Sequence, residues 1–331
     1  MVKRSAKNPG ELKVVELFSG AGLFSYAFAC ENFRILRAVE INPIAAETYR
    51  RNLGNHIEVT DVRTIQPAGR CDVLIAGPPC QGFSTLGKRN AQDPRNQLSL
   101  EIVRWSKVLR PEVIVIENVP AFLDSSMWRH VTLALDRAGY TIRAEVLDAF
   151  DFGVPQIRRR SFTFASRIGV PNPNSVVLRH IQTVKQAWRG LRPEPDGHNH
   201  HYAPVPSSLA LARMRVIPIG GDKRHILQQA PHLAPRSWRR LDGEATDVWG
   251  RLEWDRPSNT LRTCLQNPSK GRYIHPDQHR TISLREAARL HSIPDSWQFH
   301  GLPTQIARQI GNSVPPSLGR AVARAVRRLF E

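Results

Sequence analysis

Short apolar runs alternate with helix-length amphipathic segments through the first half of the chain. Val14-Val15-Glu16-Leu17-Phe18 predicts a first strand, followed by the turn Gly20-Ala21-Gly22 and a helix through Phe24–Ala29. Ile35–Glu40 predicts a second strand. Asn42-Pro43 then supplies an N-cap and a first-turn proline for a helix reaching about Asn52. Val73-Leu74-Ile75-Ala76 and Val113-Ile114-Val115-Ile116 read as buried strands with the helical segment Leu98–Lys107 between them, and Ser161–Phe164 as a later strand. This rhythm predicts an α/β fold, a doubly wound and mostly parallel sheet.

The texture changes near Ser166. From Pro171 to about Arg256 the chain is rich in Pro, Arg, His and Trp without clean periodicity, which suggests a small irregular domain. Order returns at Ser283-Leu284-Arg285-Glu286, a capping box opening a short helix, and Ser317–Phe330 reads as a basic amphipathic terminal helix. The expected organisation is a basic tail over 1–10, a main domain from 11–168 and 281–331, and the small domain over 169–280.

Composition changes this picture in one respect. The net charge is +18, from 47 Lys and Arg against 29 Asp and Glu. An Arg-rich genome would explain Arg over Lys but not the scarcity of carboxylates, so a polyanionic partner is expected, nucleic acid first. No run of about 18 apolar residues suggests a membrane span. The basic N-terminus has no apolar stretch behind it and does not read as a secretory signal. Cys30, Cys71, Cys80 and Cys264 lie far apart, without metal-ligand spacing. They suggest a reducing, cytoplasmic setting without disulfides.

The most specific segment is Gly77-Pro78-Pro79-Cys80-Gln81-Gly82-Phe83-Ser84. It follows a buried strand, and two prolines carry a thiol out of the strand's carboxyl end, the edge where open α/β sheets bind ligands. A thiol there suits nucleophilic chemistry. In the glycine turn, Gly20 and Gly22 let backbone approach a nucleoside, and Glu40, closing the second strand, is placed to accept ribose hydroxyls. Ser25 stands where a dinucleotide fingerprint would want another glycine, so a pyrophosphate is disfavoured. Asp61 is placed for an adenine amino group. Glu117, at the end of the Val113–Ile116 strand, reaches the same edge as Cys80, and Arg158 and Arg160 share one face of an extended segment. His198-Asn199-His200-His201 lacks partner ligands and reads as a solvated loop, so no metal is expected.

With these motifs in order, the chain resembles the DNA cytosine-5 methyltransferases, bacterial type, over nearly its full length. The shared set is the glycine turn, Glu40-Ile41-Asn42-Pro43, Gly-Pro-Pro-Cys-Gln-Gly-Phe-Ser, Glu117-Asn118-Val119, Gln156-x-Arg158-x-Arg160, Arg256-Pro257-Ser258-Asn259-Thr260-Leu261 and Gly311-Asn312-Ser313-Val314-Pro315-Pro316. Leu23 departs from a frequent third glycine, and Glu16 stands where Asp is usual. The resemblance implies a Rossmann-like S-adenosylmethionine-dependent methyltransferase fold, with the small domain recognising the target.

It also implies roles. Cys80 attacks carbon 6 of a flipped-out cytosine, Glu117 bonds ring nitrogen 3, Arg160 holds the pyrimidine carbonyl and Arg158 supports the Cys80 and Glu117 neighbourhood. Phe18, Gly20, Gly22, Leu23, Glu40, Ile41, Asp61, Val62, Pro79, Asn312 and Ser313 line the cofactor site. Gln81, Ser84, Lys88, Arg89 and Arg95 meet the DNA from a closing loop, and Arg239, Arg240, Lys270 and Arg272 meet its grooves. The expected partner is double-stranded DNA, with the protein a monomer near the nucleoid, functionally paired with a restriction endonuclease. The same chemistry on RNA, or an inactive DNA-binding regulator, are the alternatives.

Overall fold

The computed structural model describes residues 12–79, 94–176, 183–240 and 247–331. Its contacts divide the chain into two compact units. The first comprises 1–152, 159–179 and 313–331, and the second 153–158 and 180–312. The second unit therefore takes in 281–312, which the sequence alone groups with the main domain.

The first unit is built on a 7-stranded sheet of order β3-β2-β1-β4-β5-β7-β6. The strands are β1 (Lys13–Leu17), β2 (Arg34–Glu40), β3 (Ile57–Val59), β4 (Val73–Ala76), β5 (Val113–Asn118), β6 (Thr141–Asp148) and β7 (Arg159–Ser166). Neighbours from β3 through to β5 pair in parallel, whereas β7 runs antiparallel to both β5 and β6. That reversal brings the start of β7 to the edge where β1, β2, β4 and β5 end, with Asn118 opposite Ser161.

The apolar runs mark the central strands because both faces are covered. Every residue of β4 and β5 is buried. Helices α1 (Leu23–Cys30), α2 (Pro43–Leu53), α3 (Leu100–Leu109) and α4 (Ser126–Arg137) follow their strands. Trp105 from α3 and Val131 and Leu135 from α4 join Leu74, Ala76, Ile114 and Ile116 in one core. Asn42 caps α2 as the sequence predicts, its Oδ1 accepting the Ile44 and Ala45 N–H groups at 2.9 and 3.2 Å. β3 and β6 carry no clear signal: β3 has 3 residues, and β6 is an edge strand with no more than one buried position.

The second unit holds α5 (Val184–Ala187), α6 (Ser208–Val216), α7 (Lys223–Gln229), α8 (Leu284–Leu290) and α9 (Pro303–Asn312). Its small core gathers Met214, Ile217, Ile226, Trp249 and Ile274. Buried arginines satisfy several backbone carbonyls in this unit. Arg251, 2% exposed, donates to the carbonyls of Met214, Ile217, His275 and Gln278. The capping box expected at Ser283 and Glu286 is present and opens α8.

The chain returns to the first unit as α10 (Pro316–Arg327), packed on α1. A Cβ on Gly319 would stand 2.7 Å from the Ala27 Cβ, so glycine permits the close approach. Glu31, just past α1, receives Arg320 at 2.7 Å and Arg324 at 2.8 Å.

Candidate active site

Five parallel strands deliver their ends to one edge of the sheet. Glu117 lies inside β5, one residue short of its end, and is 8% exposed rather than standing at a solvated strand terminus. Its Oε1 lies 3.2 Å from Arg160 Nε, an ion pair with both side chains largely covered. Its Oε2 faces Gly77, where an added Cβ would lie 3.6 Å away. A carboxylate removed from water beside a guanidinium is held by charge as well as by hydrogen bonding.

The neighbouring backbone is fixed from the same strand. Asn118 Nδ2 donates to the Pro78 carbonyl at 3.1 Å, tying the segment after β4 to the end of β5. Ser161 Oγ donates to the carbonyls of Asn118 and Val119 at 3.1 and 3.0 Å. The sequence alone places Asn118 within a motif and Ser161 at the start of a strand but gives neither a task. Their partners are carbonyls some 40 residues away, for which no local pattern exists. Cys80, Gln81, Ser84, Lys88 and Arg89 lie outside the described residues, as do the side chains of Arg95, Arg239 and Arg240.

Arg158 and Arg160 have different partners. Arg158 precedes β7, is 1% exposed, and donates through Nη1 to the Leu261 carbonyl at 2.9 Å and through Nη2 to that of Gly311 at 2.7 Å. Nearby, buried Gln156 accepts from the Leu261 N–H at 2.9 Å and donates to the Leu290 carbonyl at 3.2 Å. The Gln156-x-Arg158 part of the motif thus holds the second unit together.

The glycine turn has the form a nucleoside site needs. Phe18, Gly20 and Gly22 all have positive φ, at 60°, 54° and 89°. Gly20 N–H donates to Glu40 Oε2 at 2.8 Å and Asn42 N–H to Oε1 at 2.8 Å. Burial pushes the Glu40 carboxyl above its ordinary range. Each oxygen keeps a further acceptor direction for a hydroxyl. A Cβ on Gly20 would meet nothing within 4 Å, so space lies open over the turn. Ile41 is 65% exposed beside it. These residues fit an adenosine-bearing cofactor.

The remaining candidates are less uniform. The Asp61 carboxyl is held below the usual range by Arg63, whose Nε lies 3.0 Å from Oδ1. Val62 and Leu23 are buried at 4% and 1%, which leaves their backbones for contact. Pro79 and Ser313 are half-buried, and Asn312, ending α9, is exposed. Arg272 is turned inward, donating to the carbonyls of Gly220, Gly221 and Arg251 at 2.8 to 2.9 Å. Lys270 is exposed. His201 is buried rather than solvated, bonding Ser283 Oγ and the Arg192 carbonyl, each at 2.8 Å.

Beneath the turn lies a polar chain that sequence reading did not assemble. Glu16, 2% exposed, accepts from Ser25 Oγ, Ser25 lies 3.4 Å from the Tyr49 hydroxyl, and Tyr49 bonds His56 Nε2 at 2.8 Å. Burial pushes the Glu16 carboxyl up to about 8.

The model of the family described as C-5 cytosine-specific DNA methylase matches residues 12–328. The chain belongs to that family. It is 34% identical to Type II methyltransferase M1.HphI of Haemophilus parahaemolyticus, across 95% of this chain and 86% of the relative. It is 28% identical to Type II methylase M.HgiDII of Herpetosiphon aurantiacus, across 96% of each. A solved prophage-encoded chain from E. coli superposes with a TM-score of 0.72 at 24% identity, covering 96% of this chain and 99% of that one. The protein is a DNA cytosine-5 methyltransferase, its family one that uses S-adenosylmethionine on a Rossmann-like fold. Among the described residues, no helix is long and apolar enough to cross a membrane.

Proposed function

We propose that the protein methylates carbon 5 of a flipped-out cytosine in one short duplex DNA sequence, with Cys80 as the covalent nucleophile. The observation that carries the reading is the Glu117–Arg160 pair at 3.2 Å, over Gly77 and at the edge toward which the Gly77-Pro78-Pro79 segment leads.

Carbon 5 of cytosine is a weak nucleophile. Addition of the Cys80 thiolate to carbon 6 moves electron density into the ring, and Glu117, taking up a proton as the base enters, bonds ring nitrogen 3 and relieves the charge that builds there. The Arg160 guanidinium, which pairs the Glu117 carboxylate in the free protein, orients the pyrimidine carbonyl. The Phe18–Leu23 turn, Glu40, Ile41, Asp61 and the backbone near Val62, Pro79, Asn312 and Ser313 would hold S-adenosylmethionine, which would supply the methyl electrophile to carbon 5 and leave as S-adenosylhomocysteine. Transfer of the carbon 5 proton to water and rupture of the sulfur–carbon 6 bond, which returns the Cys80 thiolate, would restore the aromatic ring. Arg158 acts indirectly, by fixing Leu261 and Gly311.

The 169–280 segment recognises the target, with exposed Lys270 meeting a groove, and the protein works as a monomer. The names of the relatives M1.HphI and M.HgiDII support service beside a restriction endonuclease. The net charge of +18 supports a duplex partner.

Bisulfite sequencing of a plasmid that encodes and expresses the chain, with Cys80→Ser as control, tests the reading. Protected cytosines in one short motif, absent from the control, are expected. Protection in both proteins excludes Cys80 as nucleophile, and protection in neither shifts the substrate to RNA or the role to binding alone.

A further inference from the structure

Two consecutive residues of β7 meet the end of β5 in different ways. Arg160 pairs with the Glu117 side chain at 3.2 Å. Ser161 stands opposite Asn118 in the last pair of the ladder between the two strands. Its hydroxyl lies 3.1 Å from the Asn118 carbonyl and 3.0 Å from that of Val119, so one proton is shared between two acceptors.

Strand pairing does not reach past this point. Val119 lies one residue beyond the ladder, where the chain passes into a 3₁₀ turn over Pro120–Asp124. The Val119 carbonyl accepts the Phe122 N–H of that turn at 2.9 Å as well as the Ser161 hydroxyl. From the other side, Asn118 Nδ2 donates to the Pro78 carbonyl at 3.1 Å, and Oδ1 accepts the Val119 N–H at 2.8 Å. The end of β5, with Glu117 one residue inside it, is thus held between the segment after β4 and the start of β7.

Packing alone does not call for a hydroxyl at this place. Ser161 is 1% exposed, and every residue from it to the end of β7 is buried. A buried hydroxyl carries a desolvation cost that alanine would avoid, so its bonds decide what it contributes. Those bonds go to the two carbonyls directly after Glu117 in the chain.

We propose that Ser161 is a positioning residue, which fixes the end of β5 through the Asn118 and Val119 carbonyls and thereby the place of Glu117 against the target ring. This rests on the reading given under Proposed function, in which Glu117 bonds ring nitrogen 3. Arg160 meets the Glu117 carboxylate itself, whereas Ser161 acts on the backbone behind it and touches no reacting atom. A displacement of about 1 Å in a reacting group can cost about a hundredfold in rate. Loss of one hydroxyl should therefore show in the rate far more than in stability.

The test compares wild type, Ser161→Ala, Glu117→Gln and the double variant on a duplex carrying the site mapped by bisulfite sequencing. Single turnovers with enzyme in excess read methyl transfer apart from product release. Ser161→Ala removes one oxygen and introduces no clash, so the melting temperature should fall by no more than about 5 °C. Its single-turnover rate should drop about ten- to a hundredfold. Affinities for the duplex and for S-adenosylhomocysteine should stay within about threefold of wild type, which a general loosening of the fold would not allow. In the Glu117→Gln background the same substitution should change the rate by less than about threefold, because a residue acting through Glu117 then has nothing left to place. A Ser161→Ala protein with the wild-type rate, a rate lost in step with either affinity, or an equal loss in both backgrounds overturns the positioning role alone. A wild-type protein inactive on duplex DNA, or a Glu117→Gln protein equal to wild type, overturns the underlying reading together with it.

Discussion

Arg158 Nη2 donates to the Gly311 carbonyl at 2.7 Å across 153 positions of sequence. The same guanidinium serves Leu261 through Nη1 at 2.9 Å. Gly311 is itself crowded: an added Cβ would lie 2.6 Å from the Arg262 carbonyl carbon and the Thr263 nitrogen. Three motifs, Gln156-x-Arg158, Asn259-Thr260-Leu261 and Gly311-Asn312, therefore meet on one buried side chain.

Arg158→Ala should destabilise the protein. Each carbonyl left buried without a donor costs about 1–3 kcal/mol. Arg158→Lys should recover only part, because an ammonium cannot serve both carbonyls with a planar fork. Urea unfolding measures both variants, and an unchanged midpoint for Arg158→Ala would contradict the assignment.

Glu117→Gln removes the proton donor and the ion pair with Arg160 while keeping the side chain's size. The expected loss in kcat is about 10²–10⁴-fold. S-adenosylhomocysteine affinity, read by calorimetry, should stay near wild type because the glycine turn and Glu40 are untouched. Equal rates for the two proteins would remove Glu117 from the reaction.

Glu40→Ala should weaken S-adenosylhomocysteine binding by about ten- to a hundredfold, as loss of charged hydrogen bonds predicts. Glu40 also accepts the Gly20 N–H, so the turn should loosen too. Unaltered affinity would place the nucleoside elsewhere.

Gly20 and Gly22 should answer differently to the same substitution. At Gly22 the φ is +89° and a Cβ would stand 2.5 Å from Tyr49 Cδ2 and 2.8 Å from Leu53 Cδ1. Gly22→Ala should therefore lower the melting temperature strongly. At Gly20 the φ is +54° and the space is open. Gly20→Ala should cost only about 1 kcal/mol of backbone strain but obstruct the cofactor, separating stability from affinity.

The Glu16 carboxyl gives a pH signature. Burial raises it from 4.5 to about 8, with Glu40 adding in the same direction and Ser25 opposing. The unfolded chain releases this proton near pH 4.5 while the folded chain retains it, so stability falls as pH rises from 4.5 to about 8 and levels off above. His56, held below its usual 6.5 by burial, acts at the acid end: its contribution to stability declines as pH drops below that value. Glu16→Gln should gain on wild type steadily from pH 5 to 8. A difference independent of pH across that range would show Glu16 ionising normally.

Much of the first unit was legible in the sequence because its determinants are local. Val73–Ala76 and Val113–Ile116 are strands covered on both faces, and such strands must be apolar throughout. Asn42-Pro43 caps a helix with atoms only two and three residues away. The glycine turn announces its positive φ values through the one residue type that adopts them without strain. The motif series from the glycine turn to Gly311-Asn312 carried the family because its members stand in one fixed order along the chain.

Tertiary structure decided where the arginines go. Arg160 and Arg158 stand two apart in sequence, yet one meets Glu117 and the other the carbonyls of Leu261 and Gly311. Arg272 looks like a groove contact in sequence but holds the carbonyls of Gly220 and Gly221. Glu117 reads as a strand-end charge but lies buried once β7 turns antiparallel beside β5. A guanidinium is recognised by fixed oxygens, and a backbone carbonyl has no sequence signature. Which carbonyl lies within reach depends on segments that meet only when the chain has folded.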